Sequence, residues 1–292
     1  MLNTGGFVRY LATKASGCTL CGPGGLREPG GGPQDRQRAA DPLRSWYGPG
    51  VPPLLVLWDV DYTLVAAGRA GWHVYEIVLD ELYGLPMPDE LGHMGGRTDT
   101  SIALEVLAAA GVGDPLAELP RFQQRMADRA PDLEGMVRQY GRALPGAEQA
   151  LAAVSELARR DDGQLVVQSL LTGNIPALAQ VKLCAFGLAG HLDLTIGAYG
   201  DISEVRADLV PVARQNAARR YQADFSGTAT VLIGDTPKDI EAAAVSGARA
   251  VAVASGSFTM QQLRDAGADV VLPDLTDTAV VVGAVCSVEA AG

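Results

Sequence analysis

The apolar residues of the chain fall into short continuous runs separated by longer amphipathic segments. The runs are too short for helices and are typical of strands buried on both faces of a parallel sheet. They lie at 54–58, 165–171, 230–234, 250–254 and 269–272, with a weaker run at 192–196. Amphipathic segments that predict helices alternate with them, at 146–160, 175–186, 207–220, 237–246, 259–266 and 277–290. This alternation predicts an α/β fold with a Rossmann-like parallel sheet.

A long insert separates the first two predicted strands. The interval of about 105 residues is far more than one crossover needs. Its pattern predicts helices at 69–83, at 98–111 with Thr98 as the N-cap, and at 117–143. We therefore expect an α-helical cap, residues 66–144, inserted into a core of residues 51–65 and 145–292, with hinges near 65–68 and 144–146.

The first 50 residues differ in composition from the rest. The whole chain of 292 residues has a net charge of −11, yet residues 1–50 carry six cations against three acids, with 11 Gly and 5 Pro. Such a segment buries too little apolar surface to fold, so we expect a disordered tail. Its lone Cys18-x-x-Cys21 pair lacks the further ligands of a structural zinc site. Scattered cysteines without a disulfide framework predict a cytoplasmic protein.

Charge and hydropathy also exclude classes of partner. An acidic chain is a poor general binder of nucleic acid. No apolar stretch approaches the roughly 20 residues that cross a bilayer, so we expect no membrane partner.

Polar residues follow several of the predicted strands. Asp59 and Asp61 come directly after the first, Thr172, Gly173 and Asn174 after the second, and Asp235 and Asp239 after the strand at 230–234. In an open α/β sheet, ligands bind in the crevice at the carboxyl ends of the strands. A hydroxyl group at a helix start, as at Thr172, favours an anion.

Four carboxylates in one crevice are costly unless a divalent cation neutralises them, and oxygen ligands suit Mg²⁺. The predicted metal residues are therefore Asp59, Asp61, Asp235 and Asp239. An anionic substrate also needs a protein cation. Arg206, directly before the predicted helix 207–220, is the preferred candidate, and Lys182 is the alternative.

Together these residues resemble the motifs of the haloacid dehalogenase superfamily, in its phosphatase-like branch with a helical cap, such as the phosphoglycolate phosphatases. The resemblance covers about residues 54–290. It rests on four motifs in order: Asp59-x-Asp61-x-Thr63, Thr172-Gly173-Asn174, the Arg206 region, and Gly234-Asp235-Thr236-x-x-Asp239. At the third, the family commonly has Lys where this chain has Arg206, which keeps the charge but not the geometry of Lys.

The resemblance implies a role for each residue. Asp59 would be the nucleophile, and Asp61 the general acid and base, oriented by Thr63. Thr172 and the amides of Gly173 and Asn174 would bind phosphoryl oxygens, and Arg206 would balance developing charge. Mg²⁺ would be held by Asp59, Asp235 and the main-chain carbonyl of Val60 or Asp61, with Asp239 orienting metal waters or the cation.

Two features of the insert bear on whether it contacts the substrate. In Gly95-Gly96-Arg97-Thr98-Asp99, Arg97 either reaches an anionic substrate or is solvated, while Thr98 caps the next helix and Asp99 complements its dipole. A stripe at helical spacing is predicted to be core rather than a substrate surface. It comprises Trp72, Tyr75, Val78, Leu79 and Leu82.

The resulting prediction is a Mg²⁺-dependent phosphomonoester hydrolase for a small phosphorylated metabolite, such as phosphoglycolate or a sugar phosphate. The absence of lysine from residues 65–145 argues against phosphonate cleavage that uses a cap lysine. The alternatives are a phosphomutase of the beta-phosphoglucomutase type, which shares the aspartyl-phosphate, and a noncatalytic phospholigand-binding protein.

Overall fold

The computed structural model describes residues 52–157 and 164–287. The predicted disordered tail and its cysteine pair lie outside the described residues. The strands are β1 Leu54–Trp58, β2 Val65–Ala66, β3 Arg142–Ala143, β4 Val166–Leu170, β5 Thr230–Gly234, β6 Arg249–Val253 and β7 Val270–Leu272. Five of them form a parallel sheet in the order β4-β1-β5-β6-β7, and the predicted α/β class is confirmed.

Ten α-helices lie within the described residues. They are α1 Ala70–Tyr83, α2 Asp99–Ala109, α3 Pro115–Arg129, α4 Glu134–Tyr140, α5 Ala147–Leu157, α6 Pro176–Ala185, α7 Leu209–Tyr221, α8 Pro237–Ser246, α9 Met260–Asp265 and α10 Thr278–Cys286. Thr98 caps α2 as predicted, because its hydroxyl accepts a hydrogen bond from the amide of Ser101 at 3.2 Å. No described helix has both the length and the apolar character that a membrane span requires.

The central strands are continuously apolar because helices cover both faces of the sheet. Val56 and Trp58 of β1 point into one buried cluster, with side chains from α5 and α10. Leu55 and Leu57 point into the other, with side chains from α7 and α8. Every residue of β1, β4 and β5 is buried, which fixes the register of the strands and hence the positions of the residues that follow them.

The helices α1 to α4 lie between β2 and β3, in the segment predicted as the cap; we call residues 66–144 the insert. β2 and β3 pair antiparallel, so the two chain crossings form one short ribbon. The insert has a buried cluster of its own, which also takes in Ile175 and Leu178 at the start of α6. The insert is therefore packed against the core at the helix that follows β4.

Two predicted elements are wrong. The weak strand at 192–196 is a turn, since the carboxylate of Asp193 accepts hydrogen bonds from the amide and hydroxyl of Thr195 and competes with strand pairing. The single helix predicted at 117–143 is broken by a short 3-10 turn, Ala130–Leu133. Pro131 lies in that turn, where it has no amide hydrogen for a helical bond and its ring crowds the preceding turn.

Candidate active site

The predicted site residues of the core meet at the carboxyl end of the sheet. Asp59 follows β1, Thr172 follows β4 and Asp235 follows β5, and these three strands are neighbours in the order β4-β1-β5. Asp59 is fixed by its own amide, which donates to the carbonyl of Ile233 at 2.8 Å. Asp59, Thr172 and Asp235 are all buried.

Three carboxylates form the centre of the site. Oxygens of Asp59, Asp235 and Asp239 lie within 4.8 Å of one another. Asp239 is held by a capping box at the start of α8, where its Oδ2 accepts from the amide of Thr236 at 3.1 Å and from the Thr236 hydroxyl at 2.7 Å. Local helix capping therefore aims Asp239 towards the other two acids.

Arg206 is the cation of this cluster. Its Nη2 lies 2.8 Å from Asp59 Oδ1 and 2.7 Å from Asp239 Oδ1, and it donates to the carbonyl of Leu171 at 3.1 Å. The guanidinium is buried. Burial alone would lower its pKa, but the charges of Asp239 and Asp59 outweigh that effect and raise the pKa of Arg206.

One guanidinium does not neutralise three buried acids. Burial raises the pKa of Asp59 to about 6, with Arg206 opposing and Asp239 adding to the rise. Burial also raises the pKa of Asp235 to about 9, and the charges of Asp59 and Asp239 add to it. Asp235 Oδ1 is buried and has no hydrogen-bond partner in the part of the chain that the structure describes. A hard divalent cation fits this cluster, because it would bind the orphaned oxygen and supply the missing positive charge.

Asp61 has a different set of partners. Lys182 Nζ lies 2.8 Å from its Oδ1 and 2.6 Å from its Oδ2. Asn174 Nδ2 donates to the same Oδ2 at 2.8 Å, while Asn174 Oδ1 accepts from Lys182 at 2.6 Å. Of the four acids predicted as metal residues, Asp59, Asp235 and Asp239 therefore lie together, and the carboxylate of Asp61 lies apart from them. Both cations weighed from the sequence lie in the site, each on a different aspartate of the motif.

The predicted orienting role of Thr63 is not seen. Its buried hydroxyl has no hydrogen-bond partner among the described residues, and Lys182 and Asn174 hold Asp61 in its place. Thr172 lies beside Asn174, whose Nδ2 donates to the Thr172 hydroxyl at 2.8 Å. The Thr172 hydroxyl thus links the end of β4 to the side chain that contacts Asp61.

The insert closes directly over the loop after β4. A Cβ atom on Gly173 would lie 1.9 Å from the carbonyl oxygen of Arg97, so only glycine fits at this crossing. The amide of Asp99 donates to the carbonyl of Gly173 at 2.7 Å. The guanidinium of Arg97 is bound to Glu105 and donates to the hydroxyl of Ser101 at 2.8 Å. Arg97 thus lines the site with its side chain already paired.

Asp99 was predicted only to complement the dipole of α2, and its contact with the start of α6 was not predicted. Its Oδ2 accepts from the amide of Ile175 at 2.6 Å, and its Oδ1 accepts from the Tyr75 hydroxyl at 2.7 Å. The sequence contains one indirect indication of this contact. The residue at the N-cap of α6 is Ile175, whose side chain cannot accept a hydrogen bond from the helix. A carboxylate of the insert supplies the missing cap.

A cavity of about 170 Å³ lies between the core and the insert. Asp59, Asp61, Arg206 and Asp235 line it from the core, and Arg97 lines it from the insert. Trp72, predicted as core, lines the cavity and is 36% exposed, whereas Val78 and Leu79 of the same stripe are fully buried. The stripe is therefore divided between the core of the insert and the surface of the cavity.

Comparisons with known proteins agree with this geometry. Residues 205–278 match the family model described as HAD-hydrolase-like, a segment that includes Arg206, Asp235 and Asp239. No curated protein matches the chain. The match of residues 205–278 agrees with the predicted resemblance to the haloacid dehalogenase superfamily over that segment.

Solved structures share the fold. A hydrolase from Pseudomonas syringae is 20% identical with a TM-score of 0.55, and the match covers 80% of this chain and 100% of that one. A predicted phosphoglycolate phosphatase from Haemophilus somnus is 16% identical with a TM-score of 0.53, over 80% and 100% of the two chains. A predicted phosphatase from Clostridium acetobutylicum is 15% identical with a TM-score of 0.52, over 80% and 99%.

Proposed function

We propose that this protein is a Mg²⁺-dependent phosphomonoesterase that acts on a small phosphorylated metabolite in the cytoplasm. The observation that carries the proposal is the division of labour between Asp59 and Asp61. Asp59 lies against Arg206 at the three-acid cluster, whereas Asp61, two residues later, faces Lys182 and the cavity. The names of the phosphatases that share the fold support the same class of reaction.

In the first step, a carboxylate oxygen of Asp59 attacks phosphorus. An Asp59–phosphorus bond forms and the bond from phosphorus to the alcohol oxygen breaks, which gives an aspartyl-phosphate and releases the alcohol. Arg206 stands beside the attacking carboxylate, where it balances the negative charge that develops on the phosphoryl oxygens. The buried setting strengthens this interaction, because little water screens it.

Asp61 moves the protons of both steps. In the first, it protonates the departing alcohol oxygen. In the second, it takes a proton from the water that attacks phosphorus, the bond to Asp59 breaks, and inorganic phosphate leaves with both aspartates restored. Lys182 and Asn174 fix the carboxylate of Asp61 through three hydrogen bonds, which keeps it directed at the cavity.

The residues that would hold Mg²⁺ are Asp59, Asp235 and a main-chain carbonyl at Val60 or Asp61, with Asp239 beside them. When bound, the ion supplies positive charge for the phosphoryl oxygens and for the acids. The unpartnered Oδ1 of Asp235 supports this proposal, since a buried acceptor with no donor is costly unless another ligand occupies it.

The test is phosphate release from a panel of small phosphomonoesters, with Mg²⁺ or with EDTA, by the full chain and by Asp59→Asn. We expect turnover only for the unmodified chain in Mg²⁺. Asp265→Asn, on an exposed surface of α9, is the matched control and should be as active as the unmodified chain. Equal activity in Asp59→Asn would refute the role of Asp59 as nucleophile.

A phosphomutase would give a different product from the same panel. A hexose phosphate is therefore included, and its products are separated. Isomerised sugar phosphate without free phosphate would contradict hydrolysis and favour the mutase. Binding of phosphorylated compounds without any turnover would instead favour a noncatalytic phospholigand-binding protein.

A further inference from the structure

The cavity has two chemically different walls. The core wall carries Asp59, Asp61, Lys182 and Arg206, where the phosphoryl group would lie. The opposite wall, which faces the alcohol part of a substrate, is apolar and aromatic. We call it the insert wall; it is formed by Trp72, Tyr75, Met94, Ile102 and, from α6, Leu178.

Every cation at this cavity is already paired. Among the described residues that line it, the cations are Arg97, Lys182 and Arg206. Arg206 binds Asp59 and Asp239, and Lys182 binds both oxygens of Asp61. Arg97, the cation on the insert side, is bound to Glu105. A second negative charge on the substrate, beyond its phosphoryl group, would have to displace a carboxylate to find a partner.

Two polar side chains on the insert side, Tyr75 and Asp99, are also paired. Asp99 accepts from the Tyr75 hydroxyl through one oxygen and from the amide of Ile175 through the other. These bonds occupy the Tyr75 hydroxyl and both oxygens of Asp99, so neither side chain is available to the hydroxyl groups of a substrate. Because burying an unpaired polar group costs free energy, a polyol is a poor fit to this wall.

The cavity is also small. Its volume of about 170 Å³ is below the range of roughly 300–1,000 Å³ of pockets that take drug-sized ligands. Such a space suits a phosphoryl group with a compact leaving group better than a hexose phosphate with its many hydrated hydroxyl groups.

From these observations we propose that the substrate is the phosphomonoester of a short, uncharged and largely apolar alcohol, and that the Arg97–Glu105 pair disfavours anionic alcohols. This inference rests on the proposed phosphomonoesterase function and narrows its substrate class. It disfavours both phosphoglycolate and sugar phosphates, because the first carries a carboxylate and the second several hydroxyl groups. We assign the selectivity to Glu105, because it pairs with Arg97, the cation that an anionic alcohol would need.

The experiment compares two esters of similar size, propyl phosphate and phosphoglycolate, in Mg²⁺. We expect kcat/KM of the unmodified chain to be at least about tenfold higher for propyl phosphate, because desolvating an unpaired carboxylate opposes binding of the other. In Glu105→Gln the side chain no longer holds Arg97 by charge. The ratio of the two kcat/KM values should therefore shift towards phosphoglycolate by about tenfold or more.

Glu118→Gln is the matched control, since Glu118 pairs with Arg121 and Tyr83 outside the cavity lining, and it should leave the ratio unchanged. A preference of the unmodified chain for phosphoglycolate would overturn the inference while leaving the phosphomonoesterase function in place. An equal ratio in Glu105→Gln and Glu118→Gln would overturn the role of the Arg97–Glu105 pair. Turnover of neither ester, with turnover of another phosphomonoester of the panel, would overturn this inference alone, whereas no turnover on the whole panel would refute the proposed function as well.

Discussion

The two aspartates of the Asp59-x-Asp61 motif lie in contrasting environments. The side chain of Asp59 is 6% exposed and shares one guanidinium with Asp239, whereas that of Asp61 is 37% exposed and contacts Lys182 and Asn174. Acids outnumber cations around Asp59, while Asp61 is locally balanced. The contrast teaches that one short turn after β1 can place two like side chains in opposite electrostatic settings, one among other acids and the other paired with a cation.

The largest expected effect separates the two aspartates by the step each serves. With p-nitrophenyl phosphate, whose weakly basic leaving group needs no proton, Asp61→Asn should release about one equivalent of p-nitrophenol in a rapid burst. Its steady turnover should then be lower by about 10²–10⁴, because no base activates water. Asp59→Asn should show neither burst nor turnover. Stopped-flow absorbance measures both phases.

The outcome that would break the contrast is a burst in Asp59→Asn. The absence of a burst in Asp61→Asn, together with normal binding of phosphate, would show that Asp61 acts already in the first step even for this leaving group. Asp265→Asn again serves as the control, and should show the turnover of the unmodified chain.

The second prediction concerns the three-acid cluster of Asp59, Asp235 and Asp239, where the metal is proposed to bind. In EDTA at neutral pH, Asp235→Asn should be at least as stable as the unmodified chain. Burial beside Asp59 and Asp239 raises the pKa of Asp235 to about 9, which is unfavourable at this pH, and Asn does not incur that cost. Mg²⁺ at about 100 times its Kd should stabilise the unmodified chain by about 2.7 kcal/mol and the variant far less. Thermal unfolding with and without Mg²⁺ measures both effects. Equal stabilisation of the variant by Mg²⁺ would contradict the assignment of Asp235 as a ligand.

The third prediction concerns Asp61, which is proposed to transfer the protons, and its contact with Lys182. Lys182→Met should lower kcat by about 10–100-fold, because Asp61 loses the contact that fixes both its oxygens. KM and the stabilisation by Mg²⁺ should change little, since the three-acid cluster is intact. Lys182→Arg should restore part of kcat. Lys238→Met, which removes an exposed lysine paired with Glu241, is the control; a loss as large in the control would contradict a specific role for Lys182.

Much of this arrangement could be predicted from the sequence, because parallel strands deliver the residues after them to one edge of a sheet. That rule alone brings Asp59, Thr172 and Asp235 together. It gives positions and not hydrogen-bond partners. Lys182 reaches Asp61 across 121 residues of sequence, and the contact depends on the register of β1 against β4 and on the rotation of α6.

The failures have local physical causes. A strand was predicted at 192–196 from its apolar residues, but Asp193 turns the chain by binding Thr195. Thr63 was assigned to Asp61 by the resemblance alone, and its hydroxyl lies buried without a partner. Arg97 was left between substrate binding and solvation, and the structure has it on Glu105. The turn at Asp193 and the pairing of Arg97 each depend on a side-chain contact that the pattern of residues does not show.

The smallest effect is expected for Asp99, where the insert contacts the start of α6, the helix that carries Lys182. Asp99→Ala leaves the amide of Ile175 buried without an acceptor and should lower the free energy of unfolding by about 1–3 kcal/mol. Asp99→Asn should cost less, about 0.3–1 kcal/mol, because the amide oxygen can still accept and only the charge at the start of α6 is lost. Urea unfolding measures both. Tyr75→Phe, which removes the other partner of Asp99 but leaves Ile175 capped, is the matched control.

This last prediction also tests how the insert is coupled to catalysis. α6 begins at the amide that Asp99 caps and carries Lys182 near its other end. A displaced start of α6 should therefore lower kcat a few-fold through Asp61, while the stabilisation by Mg²⁺ is kept, because Asp59, Asp235 and Asp239 belong to other elements. If Asp99→Ala weakened the stabilisation by Mg²⁺ as much as it lowered kcat, the insert would couple the three-acid cluster to Asp61. The contrast between Asp59 and Asp61 would then depend on the packing of the insert against α6 rather than on the turn after β1.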